Sequence, residues 1–437
     1  MSNSDFNFSA IGDNGNPVDW WFIYKVAGKS KASDGTKPTG TEYVFFDAEI
    51  TPGEKLALSQ FKIDDPHNGA VSGTLNQIYN NLSNPDIGWF FYNDEPSNNV
   101  KQTSEKGHTK GVVCFNMANN TGFWLVHSSP RFPPEGKYSF PTTAMGNAQS
   151  FLCITLDADT IKTIAAQMVV TQHPNVYAAS KVPAAIKDTS DPRSVLMNKL
   201  LHPPVAPFTE TVAFKSRGGQ YFRCIAKNMK WHTPGNDDFY NDLVGPILGE
   251  SIDVETWTHH KTPGNHDNDK KHSVFEMESV DLAPLRINPS YAWSEENDHA
   301  KIAVSATHES PVYVCVGDLN FTTAQENRSG GTVAFINNEL WQAILEILSL
   351  DKIKAGKTKT VAKKNTSKRN PAVKKVTPVK KKPIIKKKPA PKKKQPVKKK
   401  QVVKKKPAAK KKPAAKKRPM VKKKTAPKKK SLAKKKK

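Results

Sequence analysis

The stretches GHTKGVVCFNM, at residues 107–117, and DHAKIAVSATH, at residues 298–308, share one pattern. Each has a histidine, one intervening residue, a lysine and then an apolar, β-prone run, which indicates an internal duplication. On a strand, residues two positions apart project from the same face. We therefore expect each histidine to point with its lysine into one shared site. The paired residues are His108, Lys110, His299 and Lys301.

The chain around these two stretches alternates between β-prone and helical segments. Gly, Pro, Asn and Asp clusters bound the predicted strands, as is typical of a mixed fold. The predicted strands are WWFIYKVA, EYVFFDAEI, GVVCFNM, GFWLVHS, QSFLCITL, KIAVSA, PVYVCVGDLNF and GTVAFI. The predicted helices are TLNQIYNNLS, DADTIKTIAAQMV, FYNDLVGPILGESI and NNELWQAILEILSL. The pattern predicts an α/β (α+β) body of mixed β-sheets flanked by helices.

Charge divides the 437-residue chain at Asp351, the last acidic residue. Residues 352–437 hold 41 of the 68 Lys and Arg and none of the 40 Asp and Glu, so their net charge is +41 and that of residues 1–351 is −13. We expect a catalytic body over 1–351, with halves of roughly 1–190 and 191–351, and a disordered tail over 352–437, since Lys, Pro and Ala repeats build no core. Such a tail resembles those of linker histones and predicts tight, salt-sensitive binding to DNA.

Other signals concern metals, membranes and compartment. The four cysteines form no CxxC pair, which argues against a cysteine-based zinc site, and we expect free buried thiols, with one or two disulfides as the alternative. The stretch HDNDKKH, His266–His272, is more typical of a solvated loop than of a metal site. No apolar run reaches 18 residues, so we expect no membrane span. The N-terminus does not resemble a secretory signal, so we expect the chain to start out in the cytosol. The tail favours a nuclear or nucleoid location, with a lysosomal or secreted one as the alternative.

Two imidazoles and two ammonium groups around one phosphate suffice for phosphodiester cleavage without a metal or other cofactor. One neutral histidine can attack phosphorus while the other, protonated, donates to the leaving oxygen. The lysines would neutralise the non-bridging oxygens, which Mg²⁺ does in other enzymes. A third such pair, His259 with Lys261, is followed by Pro and Gly and is interpreted as part of a loop.

Several stretches, in order, look like the signature motifs of the deoxyribonuclease II family and run from about residue 12 to 346. They are NGNPVDWWFIYKVA, GHTKGVV, GFWLVHSSPRFPP, QSFLC, SRGGQYFRCIAK, NDHAKIAVS, CVGDLN, RSGGTVAF and ELWQAI. The family is similar to phospholipase D enzymes, which place two His-x-Lys elements as a pseudo-dimer around one phosphodiester.

The resemblance implies a pseudo-dimeric phospholipase D-like fold and an acid-favoured, metal-independent endonuclease that leaves 3′-phosphates on DNA. It puts both His-x-Lys pairs in the catalytic positions, with His108 as the nucleophile by analogy with phospholipase D. Within the matching stretches, four polar residues could orient an imidazole or hold the phosphate, or could equally be turn or cap residues. They are Asp19, Asn116, Asp318 and Asn320.

The sequence departs from its relatives in some respects. Phospholipase D motifs carry an Asp five residues after the lysine, whereas this chain has Phe115 and Ala306 at those positions. The deoxyribonuclease II branch generally departs from the phospholipase D motif in the same way. Two other functions stay open. One is a DNA-binding or packaging protein with little turnover, and the other is a phosphodiesterase that acts on phospholipid.

Overall fold

The computed structural model describes residues 7–50, 53, 56–98, 105–182, 191–200, 206, 208–231, 238–257, 272–308 and 311–350. Contacts divide the chain into two units, Met1–Thr358 and Lys359–Lys437, and every described residue lies in the first unit. The predicted tail over 352–437 therefore lies outside the described residues.

The described residues form a mixed α+β structure in which strands far outnumber helices. In chain order, the strands are β1 Ala10–Ile11, β2 Pro17–Val18, β3 Trp20–Lys25, β4 Lys31–Ala32, β5 Tyr43–Asp47, β6 Ala57–Leu58, β7 Ile87–Asn93, β8 Lys110–Asn116, β9 Thr121–His127, β10 Gln149–Leu156, β11 Val176–Ala179, β12 Thr209–Lys215, β13 Tyr221–Lys227, β14 Ile252–Thr256, β15 Val274–Glu276, β16 Ser279–Asp281, β17 Tyr291–Ser294, β18 Lys301–Ser305, β19 Tyr313–Gly317, β20 Gly330–Ile336 and β21 Leu348–Ser349.

The helices are α1 Ala70–Tyr79, α2 Ala158–Gln167, α3 Pro192–Leu200, α4 Gly245–Leu248, α5 Thr323–Glu326 and α6 Asn338–Ile347. Polar side chains cap two of the longer ones, because Asp157 accepts from Thr160 N and Asn337 accepts from Leu340 N. These caps satisfy amide groups that the first helical turn leaves without a partner. Within the described ranges, no helix has the length and apolar character needed to cross a membrane.

Two large sheets dominate the fold. The first has eight strands in the order β11-β7-β8-β9-β10-β3-β5-β6, and the second has seven in the order β12-β13-β20-β19-β18-β14-β15. All strands of the first sheet come from residues before 180, and all strands of the second come from residues after 208. Smaller sheets join β1 to β2 and link β21-β16-β17-β4.

Antiparallel pairing aligns the strand ends of the first sheet. Phe151 of β10 pairs with His127, and Gly111 of β8 pairs with Val126 of β9. The register therefore brings the start of β8, the end of β9, the start of β10 and the end of β3 to the same edge of the sheet, the one formed by strand ends. This edge positions the candidate site described below.

An apolar core joins the two large sheets. Aromatic rings from both sides meet there, as when Trp20 of the first sheet packs edge-on against Phe335 of the second at a centroid distance of 5.0 Å. Helices α2 and α6 bury their apolar faces in the same cluster. A second cluster lies between the first sheet and α1, and a third between the second sheet and residues 239–248. Most of the apolar surface removed from water thus holds the sheets in place.

Most of the predicted elements are confirmed. All eight predicted strands are present, and α2 and α6 match two predicted helices. Helix α1 begins four residues before the predicted Thr74, after Gly69, whose φ of 93° favours glycine. The predicted helix over residues 239–252 is wrong in part, because a π-helical stretch over Phe239–Val244 leads into α4, which ends at Gly249 in the left-handed region. Ile252 already belongs to β14, so helical periodicity was read too far.

The cysteine prediction is confirmed as well. All four cysteines are free and buried, and burial raises the pKa of each thiol. They are Cys114, Cys153, Cys224 and Cys315. Buried neutral thiols of this kind pack as small apolar side chains.

Candidate functional site

The first His-x-Lys pair lies at the start of β8. Lys110 is the first residue of the strand, and His108 precedes it, with its main-chain N donating to Ser329 O at 2.8 Å. The imidazole Nδ1 of His108 lies 2.6 Å from the main-chain O of Asp318, in the second half of the chain. Because a carbonyl oxygen can only accept, Nδ1 carries the proton and Nε2 keeps a free lone pair.

A buried carboxylate, Asp94, stands beside this pair. It follows β7, forms an ion pair with Lys110 Nζ, and has its Oδ2 3.6 Å from His108 Nε2 and 3.6 Å from a terminal nitrogen of Arg328. Burial alone would raise the pKa of Asp94, but Lys110, His108 and Arg328 outweigh burial and hold that pKa well below its usual range. The carboxylate is therefore charged and anchors the surrounding basic groups.

The environment keeps His108 neutral. Burial lowers the pKa of His108 to about 3, and the charges of Lys110, Lys301 and Arg328 act in the same direction while Asp94 opposes them. An imidazole with so low a pKa stays unprotonated through the mildly acidic range. Its Nε2 is thus available as a nucleophile at pH values where most histidines are protonated.

The second His-x-Lys pair is held against the first sheet. Lys301 begins β18, and His299 lies just before it. The main-chain N of His299 donates to Ala148 O at 3.0 Å, and that of Lys301 donates to Ser150 Oγ at 3.2 Å. These bonds tie the start of β18 in the second sheet to the start of β10 in the first. As with the first pair, the lysine lies on the strand and the histidine just before it.

Asp298, the residue before His299, fixes the approach to β18. Its carboxylate accepts hydrogen bonds from Tyr24 OH, from Trp293 Nε1 at 2.6 Å and from Ala300 N at 2.7 Å. Burial raises the pKa of Asp298, although these donors partly offset that effect. A buried carboxylate with three donors restrains the backbone that carries His299.

The two pairs converge electrostatically. Burial and, next, the charge of Lys110 together lower the pKa of Lys301 to about 7, as expected for neighbouring ammonium groups. Lys301 in turn helps to lower the pKa of His108. On the other side, the ring of Trp257 packs against that of His299 at a centroid distance of 4.2 Å. The fold therefore brings residues of both duplicated stretches to one site.

The four supporting candidates divide into two groups. Asp318 reaches the site, and it orients His108 through its main-chain oxygen rather than its carboxylate. The Asp318 carboxylate accepts from Gly331 N at 3.1 Å, and burial raises its pKa to about 7. Asn320 lies two residues further along the same loop, and its buried Oδ1 has no hydrogen-bond partner among the described residues.

Asp19 and Asn116 lie at the opposite edge of the first sheet. Asn116 ends β8, where its Oδ1 accepts from Ala118 N and Asn119 N at 2.9 and 3.2 Å in the turn to β9. Asp19 precedes β3 and accepts from Ser216 Oγ and Gly218 N in the turn between β12 and β13. The structure therefore does not bring these two residues to the His-x-Lys cluster: Asn116 stabilises its own turn, and Asp19 holds the distant turn between β12 and β13.

Sequence reasoning missed several residues that the fold brings to the cluster. They are Asp94, His127, Trp257, Asp298 and Arg328. Three of these, in GFWLVHSSPRFPP, NDHAK and RSGG, lay inside stretches that were singled out, so their closeness to a motif was an available signal. Asp94 and Trp257 follow β7 and β14, two strands that were not predicted.

His127 differs from the other four residues because it is the last residue of a strand that was predicted. Its ring stacks on Phe151 and meets Phe132 edge-on. Burial lowers its pKa to about 3, and the charge of Lys110 adds to that effect. Nothing in the sequence of an aromatic-rich strand end distinguishes such a buried neutral histidine from an exposed one.

Within the described part of the chain, no group of three or more His, Cys, Asp or Glu side chains is arranged to hold a metal ion. Most of the HDNDKKH stretch, residues 266–271, lies outside the described residues, as do His259 and Lys261. Neither sequence prediction about them can be compared with the fold.

Comparison with known sequences gives a consistent result. A family model described as deoxyribonuclease II matches residues 9–351. A putative deoxyribonuclease-2 of Burkholderia pseudomallei is 39% identical over 329 residues, which cover 75% of this chain and 88% of that protein. Deoxyribonuclease-2-alpha of Rattus norvegicus is 31% identical over 348 residues, covering 78% and 93% respectively. Among solved structures, yeast tyrosyl-DNA phosphodiesterase matches with a TM-score of 0.28 and 10% identity over 55% of this chain and 69% of that one.

Proposed function

The chain belongs to the deoxyribonuclease II family, and we propose that this deoxyribonuclease cleaves DNA internally with two histidines and no metal, on a pseudo-dimeric phospholipase D-like fold. One observation carries the proposal. Hydrogen bonds join each pair to the opposite half, from His108 Nδ1 to Asp318 O and from Lys301 N to Ser150 Oγ, and the charge of Lys301 acts on His108. A phosphodiester placed there would meet basic groups from both halves, roughly 1–190 and 191–351.

In the first step, His108 Nε2 attacks phosphorus and the bond from phosphorus to the 5′ oxygen breaks. The lone pair on Nε2 is available because Nδ1 donates to Asp318 O. His299, protonated, donates its proton to the departing 5′ oxygen. The product is a 3′-phosphoryl group on His108 and a free 5′ hydroxyl.

In the second step, water attacks the phosphohistidine. His299, now neutral, takes the proton of the water, and the bond between His108 and phosphorus breaks to leave a 3′-phosphate. Lys110 and Lys301 neutralise the non-bridging oxygens throughout. Asp94 is a positioning residue in this scheme, because it holds the Lys110 ammonium at the start of β8.

The same scheme accounts for a preference for acid. The reaction needs His299 protonated, His108 neutral and both lysines charged. Because the pKa of Lys301 is lowered to about 7, acid completes its protonation. Because the pKa of His108 is lowered to about 3, mild acid leaves the nucleophile free. Activity is therefore lost as the pH rises through about 7 and is lost again below about 3.

The test is cleavage of supercoiled plasmid in excess EDTA across about pH 3 to 8, with the ends of the products analysed. We expect activity that survives the chelator, peaks in acid and leaves 3′-phosphates that a polymerase cannot extend before phosphatase treatment. Cleavage that EDTA abolishes would contradict the two-histidine scheme. If DNA is bound but not cleaved at any pH, the chain is a DNA-packaging protein on a nuclease scaffold.

The basic segment 352–437 completes the proposal as a DNA tether, which would favour a nuclear or nucleoid location. A variant that ends at Thr358 is expected to keep its cleavage rate at saturating DNA but to bind DNA about 10³-fold more weakly at 50 mM salt, with a much shallower salt dependence. Binding measured between 50 and 300 mM salt checks this expectation. An unchanged slope would mean that the body supplies the phosphate contacts.

A further inference from the structure

Beside the reactive histidine lies a second pair of basic groups. Lys106 Nζ is 3.2 Å from His173 Nε2, and both residues are partly exposed. The Nδ1 of His173 lies 2.8 Å from the main-chain O of Glu105, so Nδ1 carries the proton when the ring is neutral. Nε2 then accepts from the Lys106 ammonium. Two groups that can each carry a positive charge are thus held face to face.

The backbone fixes this pair next to His108. Gly107 N donates to His173 O at 2.9 Å, and His108 N donates to Ser329 O at 2.8 Å. A Cβ on Gly107 would come within 1.9 Å of Gln172 O, so only glycine fits between the two segments. The loop that carries Lys106 is therefore clamped, and the pair keeps its place relative to the reactive imidazole.

Among the described residues, a single acidic group acts on the pair. The charged groups that act on His173 are Lys106 and Glu105, and Glu105, an exposed residue, is the acidic group acting on Lys106. Burial lowers the pKa of Lys106, and burial followed by the charge of Lys106 lowers the pKa of His173. An anion bound between the two groups would oppose both effects and favour the charged form of each.

We propose that Lys106 and His173 form an anion subsite. It holds the phosphodiester that is adjacent, on the same DNA strand, to the phosphodiester that is cleaved. The inference rests on the proposed function, which supplies a strand at His108. A tetrahedral phosphate can accept from Nζ and Nε2 together, and a DNA strand presents another phosphate one nucleotide away from the reacting one. Free inorganic phosphate has the same chemistry and would occupy the same subsite.

Binding at this subsite takes up a proton. A phosphate between the two groups raises the pKa of His173, because the anion favours the charged imidazole. Affinity is therefore greatest at acidic pH and falls as the pH rises through the pKa of the bound state. The subsite would thus strengthen the hold on DNA at the acidic pH at which the proposed cleavage is expected.

One test uses oligonucleotides in which a methylphosphonate removes the charge of a single linkage flanking the cleaved bond. With the full-length wild type, we expect neutralisation of one flanking linkage to lower kcat/KM about tenfold at acidic pH. In Lys106→Gln and His173→Gln, the same change should cost less than about twofold, because its partner is already gone. Lys162→Gln, which alters a partly exposed lysine of α2, serves as the matched control and should behave as the wild type. An equal loss in all four proteins would overturn the subsite.

A second test needs no cleavage. Inorganic phosphate is titrated into full-length protein with labelled histidine rings, and the pKa of His173 is followed by NMR in the wild type, in His108→Asn and in Lys106→Gln. We expect phosphate to raise this pKa in the first two proteins and to leave it unchanged in the third. Phosphate that shifts His108 or His299 but not His173 refutes the subsite and leaves the proposed function standing. A shift of His173 in a wild-type protein that cleaves no DNA supports the subsite and refutes the proposed function.

Discussion

Replacing His108 by asparagine is expected to lower the single-turnover rate of DNA cleavage in EDTA by about 10⁴-fold. The asparagine amide can still donate to Asp318 O, as Nδ1 of the histidine does at 2.6 Å. The variant therefore keeps the loop contact and loses the Nε2 lone pair. Because the asparagine amide is not a nucleophile anywhere in this range, no change of pH between about 4 and 6 should restore the rate.

The measurement is a rapid-quench time course on supercoiled plasmid at saturating protein. His67→Asn, which changes an exposed histidine in the same way, is the control and should match the wild type. Thermal unfolding of His108→Asn should stay close to that of the wild type. A variant that folds normally and retains more than about a tenth of the rate would remove His108 from the nucleophile position.

Replacing His299 by asparagine is expected to lower cleavage of ordinary DNA by about 10³-fold, because the 5′ oxygen then departs without a proton. A substrate with sulfur in place of that 5′ oxygen has a leaving group that needs no general acid. On this substrate, we expect His299→Asn to cleave within about tenfold of the wild type. The sulfur substrate thus tests the attack by His108 without the need for proton donation by His299.

The same variant should accumulate a covalent adduct. Water must still be activated in the second step, and the variant lacks the base for it, so the 5′ fragment of the sulfur substrate should stay bound to His108. The adduct is detected on a denaturing gel with the fragment labelled at its 5′ end. His108→Asn should show neither rescue nor adduct. If sulfur restores both variants equally, the roles assigned to the two histidines are wrong.

The strands were predictable because local composition governs them. Alternating or continuous β-branched and aromatic residues between Gly, Pro and Asn clusters suffice to predict a strand such as Gln149–Leu156. Strand Ile87–Asn93 has the same composition, and its omission hid Asp94, which follows it directly. The helical segment around Phe239 was only partly predictable, because a π-helical stretch has no simple periodic pattern in sequence.

The candidate site was predictable only along short stretches of chain. His108 and Lys110, like His299 and Lys301, are two positions apart in the chain, so each pair could be recognised without knowing the fold. The CVGDLN stretch indicated Asp318, but it did not show that the main-chain oxygen of Asp318 would be the group that contacts His108. Asp19 and Asn116 were predicted on the same grounds as Asp318, but the sheet register puts both at the edge opposite to the His-x-Lys cluster.

The sequence by itself determined the family, the two His-x-Lys pairs and the division of charge at Asp351, because these follow from residue types and their order. Only the tertiary structure decided that Asp94 and Arg328 meet the first pair, that Trp257 packs on His299, and that burial lowers the pKa of His108 to about 3. The physical reason is that partners far apart in the chain meet through packing and sheet register. Desolvation likewise depends on what covers a residue, and the linear order of residues does not specify this.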